Sequence, residues 1–294
     1  MNRFVIIILS AILFFVGCEA NFDPSDYESP LVSASAVISV NAFPLVKKQR
    51  EFRERIQLFY DGTIPDADVQ MRVRAYFYQN NKLAGSVTKL VDNVKNNVVL
   101  TKTDLSTNIN YNVIVVADFV IMDGNSLDLE FWKVVADSDY NNIKLVDQGY
   151  TGYEYRSVGV AYASARGGER LALDIEGLGA LAYMYFSNID YRKVSQVTYS
   201  WCDATEYLLA EHRIISSTTY YDTYDVDPAY SGFYDRRYII PTDEGTCKYE
   251  WKLNNKSGYT FLEDGVTFPM TPSDNRIWEV DCSTTYFSNE YCNY

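Results

Sequence analysis

The sequence predicts a mainly β protein, built as two tandem antiparallel β-sandwich domains with few short helices. Three observations carry this. Apolar residues recur with a period of two in many short runs, which is the spacing of a strand with one buried face. Gly, Asn, Asp and Pro break these runs at short intervals. Tyr, an aromatic that favours strands, contributes 26 of the 294 residues. With 47% hydrophobic residues the chain can bury a core, which excludes intrinsic disorder.

The elements follow in order. Ala34 to Val40 reads as extended, and Arg55 to Phe59 alternates. Val69 to Tyr78 is the clearest strand: Val69, Met71, Val73, Ala75 and Phe77 share one face, and Gln70, Arg72 and Arg74 share a wet one. Asn80-Asn81-Lys82 turns the chain into a strand from Leu83 to Leu90. Tyr111 to Met122 is a β-branched run suited to a central strand covered on both faces. Leu127, Phe131, Val134 and Val135 stand at helical spacing behind Ser126 as a cap, so one short helix is expected there. Arg170 to Phe186 alternates, breaks at Gly177-Leu178-Gly179 and resumes, as a bulged strand or hairpin does. Val194 to Cys202 alternates again, and Thr205 to Ile215 fits a helix or a strand. The small residues Ala163 to Gly168 place the domain junction between residues 164 and 165. The N-terminal sandwich then covers residues 31–164 and the C-terminal one residues 165–294. No internal repeat is visible in the sequence.

Composition narrows the chemistry. The formal net charge is −13, from 26 Lys+Arg against 39 Asp+Glu, so there is no cationic footprint for nucleic acid. A single His, His212, would have to carry any Ser-His-Asp or Cys-His catalysis. Its neighbours Glu211 and Arg213 mark it as surface. There is no GxSxG elbow, no P-loop and no dinucleotide-binding glycine pattern. Asp174 and Glu176 point the same way on a strand, as the solvated face opposite Leu171, Leu173 and Ile175. The run Asp137-Ser138-Asp139-Tyr140-Asn141 opens like a calcium loop. It then places Asn142 where the turn needs Gly and Gln148 where a bidentate Glu belongs. No catalytic residue, metal site or cofactor is therefore assigned.

The N-terminus carries an address. Phe4 to Val16 is an apolar run of about 13 residues, too short to span a bilayer as a helix, which takes roughly 20. It ends in Phe15-Val16-Gly17-Cys18, which resembles a bacterial lipobox; an ordinary secretory signal is the competing reading. Residues 1–17 are then the signal peptide and 18–30 a polar tether. Cys18 is the lipidation site, and three acyl chains there suffice for stable membrane anchoring. The mature chain keeps 277 of the 294 residues, with 25 cations against 39 acids. Export suits disulfides, and Cys202, Cys247, Cys282 and Cys292 can form two in any of three pairings. Lys47 to Arg55 is the one basic cluster. A trypsin-like protease cutting at Arg50, Arg53 or Arg55 would release Cys18 and the first strand. Tyr220, Tyr221, Tyr224, Tyr230 and Tyr234 lie among Asp, Gly and Ser, as a Tyr-rich loop surface able to contact a sugar or protein ligand.

The chain resembles the fimbrillin-like lipoproteins of Bacteroidales. The resemblance lies in Phe15 to Cys18, in the pair VQMRVRAYFYQNNKLAG and NINYNVIVVADFV, and in RLALDIEGLGALAYMYFSN opening a second domain. It implies two transthyretin-like sandwiches and a place in the cell outer membrane, lipid-anchored and surface-exposed. It also implies a role as fimbrial subunit, tip or anchor, with other fimbrial subunits or host surface ligands as partners. In shaft subunits of that family an Arg-directed protease removes the lipid and first strand, and the open groove accepts a strand from the next subunit. The family's donor strand is C-terminal. A bridged Cys292 would hold this tail back, which favours a tip, anchor or stand-alone adhesion protein over a shaft. A surface glycan-binding lipoprotein using the Tyr-rich loops is the alternative.

Overall fold

The computed structural model describes residues 32–42, 68–92, 97–150, 155–186, 194–226, 233–240, 246–255, 257–269 and 277–281. Eighteen strands run through them in chain order. The first eleven are β1 (Ser33–Asn41), β2 (Val69–Gln79), β3 (Lys82–Asp92), β4 (Asn97–Ser106), β5 (Tyr111–Asp123), β6 (Ser126–Glu130), β7 (Trp132–Val135), β8 (Lys144–Asp147), β9 (Val158–Ala165), β10 (Arg170–Asp174) and β11 (Glu176–Gly177). The rest are β12 (Ala180–Phe186), β13 (Gln196–Leu208), β14 (Arg213–Asp225), β15 (Phe233–Ile239), β16 (Thr246–Asn254), β17 (Thr260–Pro269) and β18 (Ile277–Asp281). The mainly β expectation holds, with antiparallel pairing dominant.

Four sheets form two pairs. One pair joins the three-stranded sheet β10-β1-β4 to the six-stranded sheet β11-β9-β5-β2-β3, with β6 beside β5. The other joins the three-stranded sheet β15-β12-β18 to the six-stranded sheet β17-β16-β13-β8-β7, with β14 beside β13. The two halves repeat one topology. β1 sits between antiparallel β4 and parallel β10, as β12 sits between antiparallel β15 and parallel β18. The hairpin β2–β3 with β5 and β9 beyond it matches β13–β14 with β16 and β17 beyond it. This repeat lies in connectivity and not in residue identity, so it does not show in the sequence.

The strands do not divide between residues 164 and 165. β10 and β11 follow that point yet pair with β1 and β9. The hairpin β7–β8 precedes it yet pairs with β13 of the second half. Each half thus reaches into the other along the chain, and one continuous buried cluster runs from Ala36 to Ile240. Ala163 to Ala165 belong to β9 and pair with β5. The turn that follows holds β1 in place. Gly167 N–H donates to Ser106 O at 2.9 Å, and Val37 N–H donates to Glu169 O at 2.9 Å. A methyl on Gly167 would overlap the Leu105 carbonyl, so only glycine fits there.

One local expectation is corrected and one open alternative is resolved. Residues 126–135 form β6 and β7, not a helix: β6 pairs with β5, then the chain breaks at Phe131 and β7 pairs with β8. Leu127, Phe131, Val134 and Val135 mark two short strands in different sheets, whose spacing only imitates a helical stripe. Thr205 to Ile215 resolves as the end of β13, a turn and the start of β14.

The expected wet face of β2 is also covered. Arg72 and Arg74 are 8% and 7% exposed, and Arg72 donates to Glu130 and to the Trp132 carbonyl. Asp118 lies directly opposite Arg72 on β5 and meets it with two hydrogen bonds, at 3.1 and 2.6 Å. Arg74 Nη2 stands 3.1 Å from the same carboxylate. Burial by itself would lower the Arg72 pKa, but the hydrogen bonds and charges of Asp118 and Glu130 more than reverse it.

Candidate functional site

The element that the assembly expectation depends on is β1. It occupies the middle of its sheet, with register Val37 to Arg170 on the parallel side and Val37 to Thr101 on the antiparallel side. Ala36, Ile38, Val40 and Ala42 point into the core. Val98, Leu100 and Leu105 of the neighbouring β4 are buried in the same cluster. Burying one such aliphatic side chain contributes about 1.5–3 kcal/mol, so Ile38 and Val40 are a substantial part of the hold on this strand. Taking β1 away would leave two strand edges, β4 and β10, facing each other across an apolar floor.

The second built feature is a buried charge centre around Arg156. Its side chain is wholly buried, as is that of Asp203 on β13, and the two meet at 2.6 Å. Arg156 Nη2 lies 2.9 Å from Asp147 Oδ2 at the end of β8. Arg156 Nη1 also donates to the Tyr238 carbonyl of β15. Its guanidinium stacks over the Trp132 ring, 4.6 Å from the centroid, and Trp132 Nε1 donates to the Arg156 carbonyl at 2.5 Å. Tyr220 of β14 donates to Asp147 at 2.7 Å, and Ile240 N–H donates to Asp203 at 2.9 Å.

Two carboxylates share one guanidinium here, so the buried centre carries an excess negative charge. Burial accordingly pushes the Asp203 carboxyl up to about 6, against the pull of Arg156. In position the centre ties the β7–β8 hairpin and the entry to β9 to both sheets of the second half. Nothing in the sequence marks these residues, because Asp203 stands 47 residues from Arg156 along the chain.

Other expected sites fare as follows. Tyr220, Tyr221 and Tyr224 stand on strand β14, not on a loop. Tyr220 packs on Trp201 with ring centroids 5.5 Å apart and serves Asp147, so it is structural. Tyr221, on the opposite face, is 74% exposed. Tyr234 lies on β15 in the other sheet, opposite Tyr185. The described four are therefore divided between two sheets, and Tyr230 lies outside the described residues. Cys202 faces Thr219 across the β13–β14 pair, and Cys247 faces Phe268 in the β16–β17 pair. Cys18, Arg50, Arg53, Arg55, Cys282 and Cys292 lie outside the described residues.

Asp174 and Glu176 are exposed, and Asn41 donates to Asp174 at 2.8 Å. His212 sits exposed in the β13–β14 turn with φ of 53°, its ring 4.2 Å from that of Tyr162. The acids of the calcium-like run bond to their own backbone. Asp137 accepts from Asp139 N–H at 3.0 Å, and Asp139 accepts from Asn141 N–H at 2.9 Å, capping a short 3-10 turn over Tyr140–Asn142.

No family model matches the chain, and no curated protein matches it. Solved structures do. A candidate polysaccharide-binding protein from Bacteroides thetaiotaomicron superposes with a TM-score of 0.52 at 9% identity, covering 85% of this chain and 90% of that one. A candidate adhesin from Bacteroides ovatus superposes with a TM-score of 0.50 at 10% identity, covering 87% and 89%. The chain shares their fold. The fimbrial anchor protein Mfa2 from Porphyromonas gingivalis matches with a TM-score of 0.48 at 7% identity, covering 85% and 91%. At these identities the likeness is one of architecture, and it spans nearly the whole of each chain.

Proposed function

We propose that the chain is a lipid-anchored structural or adhesion protein of the cell outer membrane, a fimbrial subunit of the tip or anchor type. The observation that carries this is the position of β1, a single strand held on both sides, which in the sequence is followed by the basic cluster ending at Arg55. A strand so placed can be cut away and replaced by one from a partner, with main-chain hydrogen bonds supplying affinity and alternate side-chain pockets supplying register. Until such a cut, acyl chains on Cys18 tether the body, and its acidic surface stands off an anionic leaflet. A bridged Cys292 would hold the C-terminal tail back, which favours a tip or anchor over a shaft role. No enzymatic role is assigned: among the described residues no constellation of nucleophile, base and orienting group supports one.

The test is fractionation of cells producing the native chain or Cys18→Ala, with surface labelling of intact cells. The native chain is expected in the outer membrane and accessible to the label. A chain that stays soluble in the periplasm, or whose location ignores Cys18, overturns the reading.

A second reading is supported by the exposure of Tyr221 on the polar outer face of β13–β14, where Gln196, Thr198, Ser200, Thr219 and Thr223 alternate outward. That surface suits a glycan. A glycan array with no hit, or with hits indifferent to Tyr221→Ala, removes it.

A further inference from the structure

The chain enters and leaves each half by strands that lie side by side and run the same way. β1 pairs parallel with β10 over five register positions, from Val37–Arg170 to Asn41–Asp174. β12 pairs parallel with β18 over five, from Leu181–Ile277 to Tyr185–Asp281. Among the described residues every other ladder is antiparallel. The two ends of β1 are fixed differently. At its start, Thr107 N–H donates to Val32 O at 3.0 Å and Gly168 N–H donates to Ser35 O at 3.2 Å. At its far end, Ile175 N–H donates to Asn41 O at 3.1 Å, and the Asn41 side chain donates to Asp174 at 2.8 Å. From there the chain has reached the second half by Gly179, where a methyl would overlap the Ile239 carbonyl of β15. β9 runs the other way: Val158 at its start accepts from the Tyr238 hydroxyl at 3.2 Å, and its end leads into the turn beside Ser35. β1 therefore extends from the tether side to the second-half side, over about 30 Å at ~3.3 Å per residue.

This arrangement decides how tension acts. Hydrogen bonds between strands lie across the strand direction. Pulling the start of one parallel strand against the end of its neighbour strains all of those bonds together. Pulling both strands from the same end opens the bonds one at a time. A pull on the N-terminus against the second half does the former to β1 and β10. A pull that continues through β12 and out past β18 does the same to that pair. β1 also carries a steric stop. It can re-pair under tension only by moving two residues toward the tether, because a move of one would turn its apolar face outward. The two-residue move drives Ile38 into the space of Ala36 and Val40 into that of Ile38. These three are 0%, 1% and 0% exposed, in a packed interior that has no room for the larger side chain.

We propose that the chain transmits tension along its length, with the parallel pairs β1–β10 and β12–β18 acting as two shear clamps in series. The first clamp holds against any load between the tether and the second half, and the second against load that leaves past β18. The repeated topology of the two halves is what sets both clamps in the same sense along the chain. The proposal rests on the reading above only for where the load enters, at Cys18. A body held by lipid at one end and pulled at the other meets this geometry of load.

The test is single-molecule stretching of the mature chain, residues 18–294, under reducing conditions. One handle is fixed at the N-terminus. The other is fixed at the C-terminus, or through a clickable residue in place of Glu176 or of Arg170. Both of these positions are exposed, Arg170 at the start of β10 and Glu176 just past its end. Urea midpoints equal to the native one show that each labelled chain folds. A handle at 176 shears β1 against β10, and a handle at 170 peels them apart. The sheared chain is expected to give at a force at least about twofold higher at the same pulling rate, because five register positions yield together. Pulled between its two ends, the chain should likewise hold well above the peeling force. Equal forces at 170 and 176 overturn the proposal, and so does a chain that gives at the peeling force when pulled from end to end. The measurement needs neither lipid nor partner. A chain that passes it yet fails the fractionation above keeps its clamps and loses only the anchor.

Discussion

Arg156 and Asp203 meet at 2.6 Å with both side chains wholly buried, although 47 residues separate them along the chain. One lies on the segment returning to β9, in the first half, and the other on β13, in the second. Their contact fixes the crossover hairpin to the second pair of sheets. Removing one partner of such a pair leaves an uncompensated buried charge, at a cost of about 3–5 kcal/mol. Arg156→Met strands Asp147 and Asp203 together and should lose that much in chemical denaturation. Asp203→Asn keeps the hydrogen bond to Ile240 N–H and leaves Arg156 paired with Asp147, so it should cost clearly less. Equal losses would show that the guanidinium is not the hub.

The same pair sets a pH dependence. The Asp203 carboxyl titrates near 6 in the fold, above its ordinary value of 3.8, chiefly because it is buried. A raised folded-state pKa means that the fold binds the proton more tightly than the unfolded chain does. The contribution is therefore fully present below about pH 4 and lost as pH rises through 6. Urea midpoints at pH 4.5 and 7.5 should show this shift in the native chain and lack it in Asp203→Asn. The same pH difference in both would contradict it.

Asp118 gives a parallel test on β2. It is wholly buried between Arg72 and Arg74, whereas Glu130, the other partner of Arg72, is partly exposed. Asp118→Ala should cost about 3–5 kcal/mol, and Glu130→Gln under about 1 kcal/mol. Thermal melts of the two variants decide this, and similar losses would place the weight elsewhere.

These arginines also show where the sequence could be read and where it could not. The alternation of β2 and the unbroken apolar run of β5 give both strands, because each signal is local. That Arg72 and Arg74 are covered depends on Asp118, some 46 residues on, and on a strap at residues 130–132. Leu127 to Val135 was open to misreading for a similar reason: two strands of five and four residues are too short to display a period of two. The tyrosines of β14 were visible as a cluster. Which ones are structural depends on Trp201 and Asp147, contacts that only the fold creates.

Gly167 is the local lock on β1. Its neighbours Glu169 and Gly168 exchange hydrogen bonds with Val37 and Ser35, and a side chain at 167 would strike the Leu105 carbonyl. Gly167→Ala should destabilise by about 1–3 kcal/mol and speed hydrogen exchange in β1 ahead of the rest of its sheet. Uniform loosening, or none, would mean that the turn does not govern that strand.

The most direct measurement concerns β1 itself. The full chain is digested with an Arg-specific protease and followed by intact mass and by binding of a synthetic peptide spanning Ser33 to Asn41. A single cut between Lys47 and Arg55 is expected. Cys18 and β1 should then leave together, and the remaining body should take up the added strand. A chain that is not cut there, or a cut body that keeps β1 and refuses the peptide, contradicts a replaceable first strand and with it the assembly role.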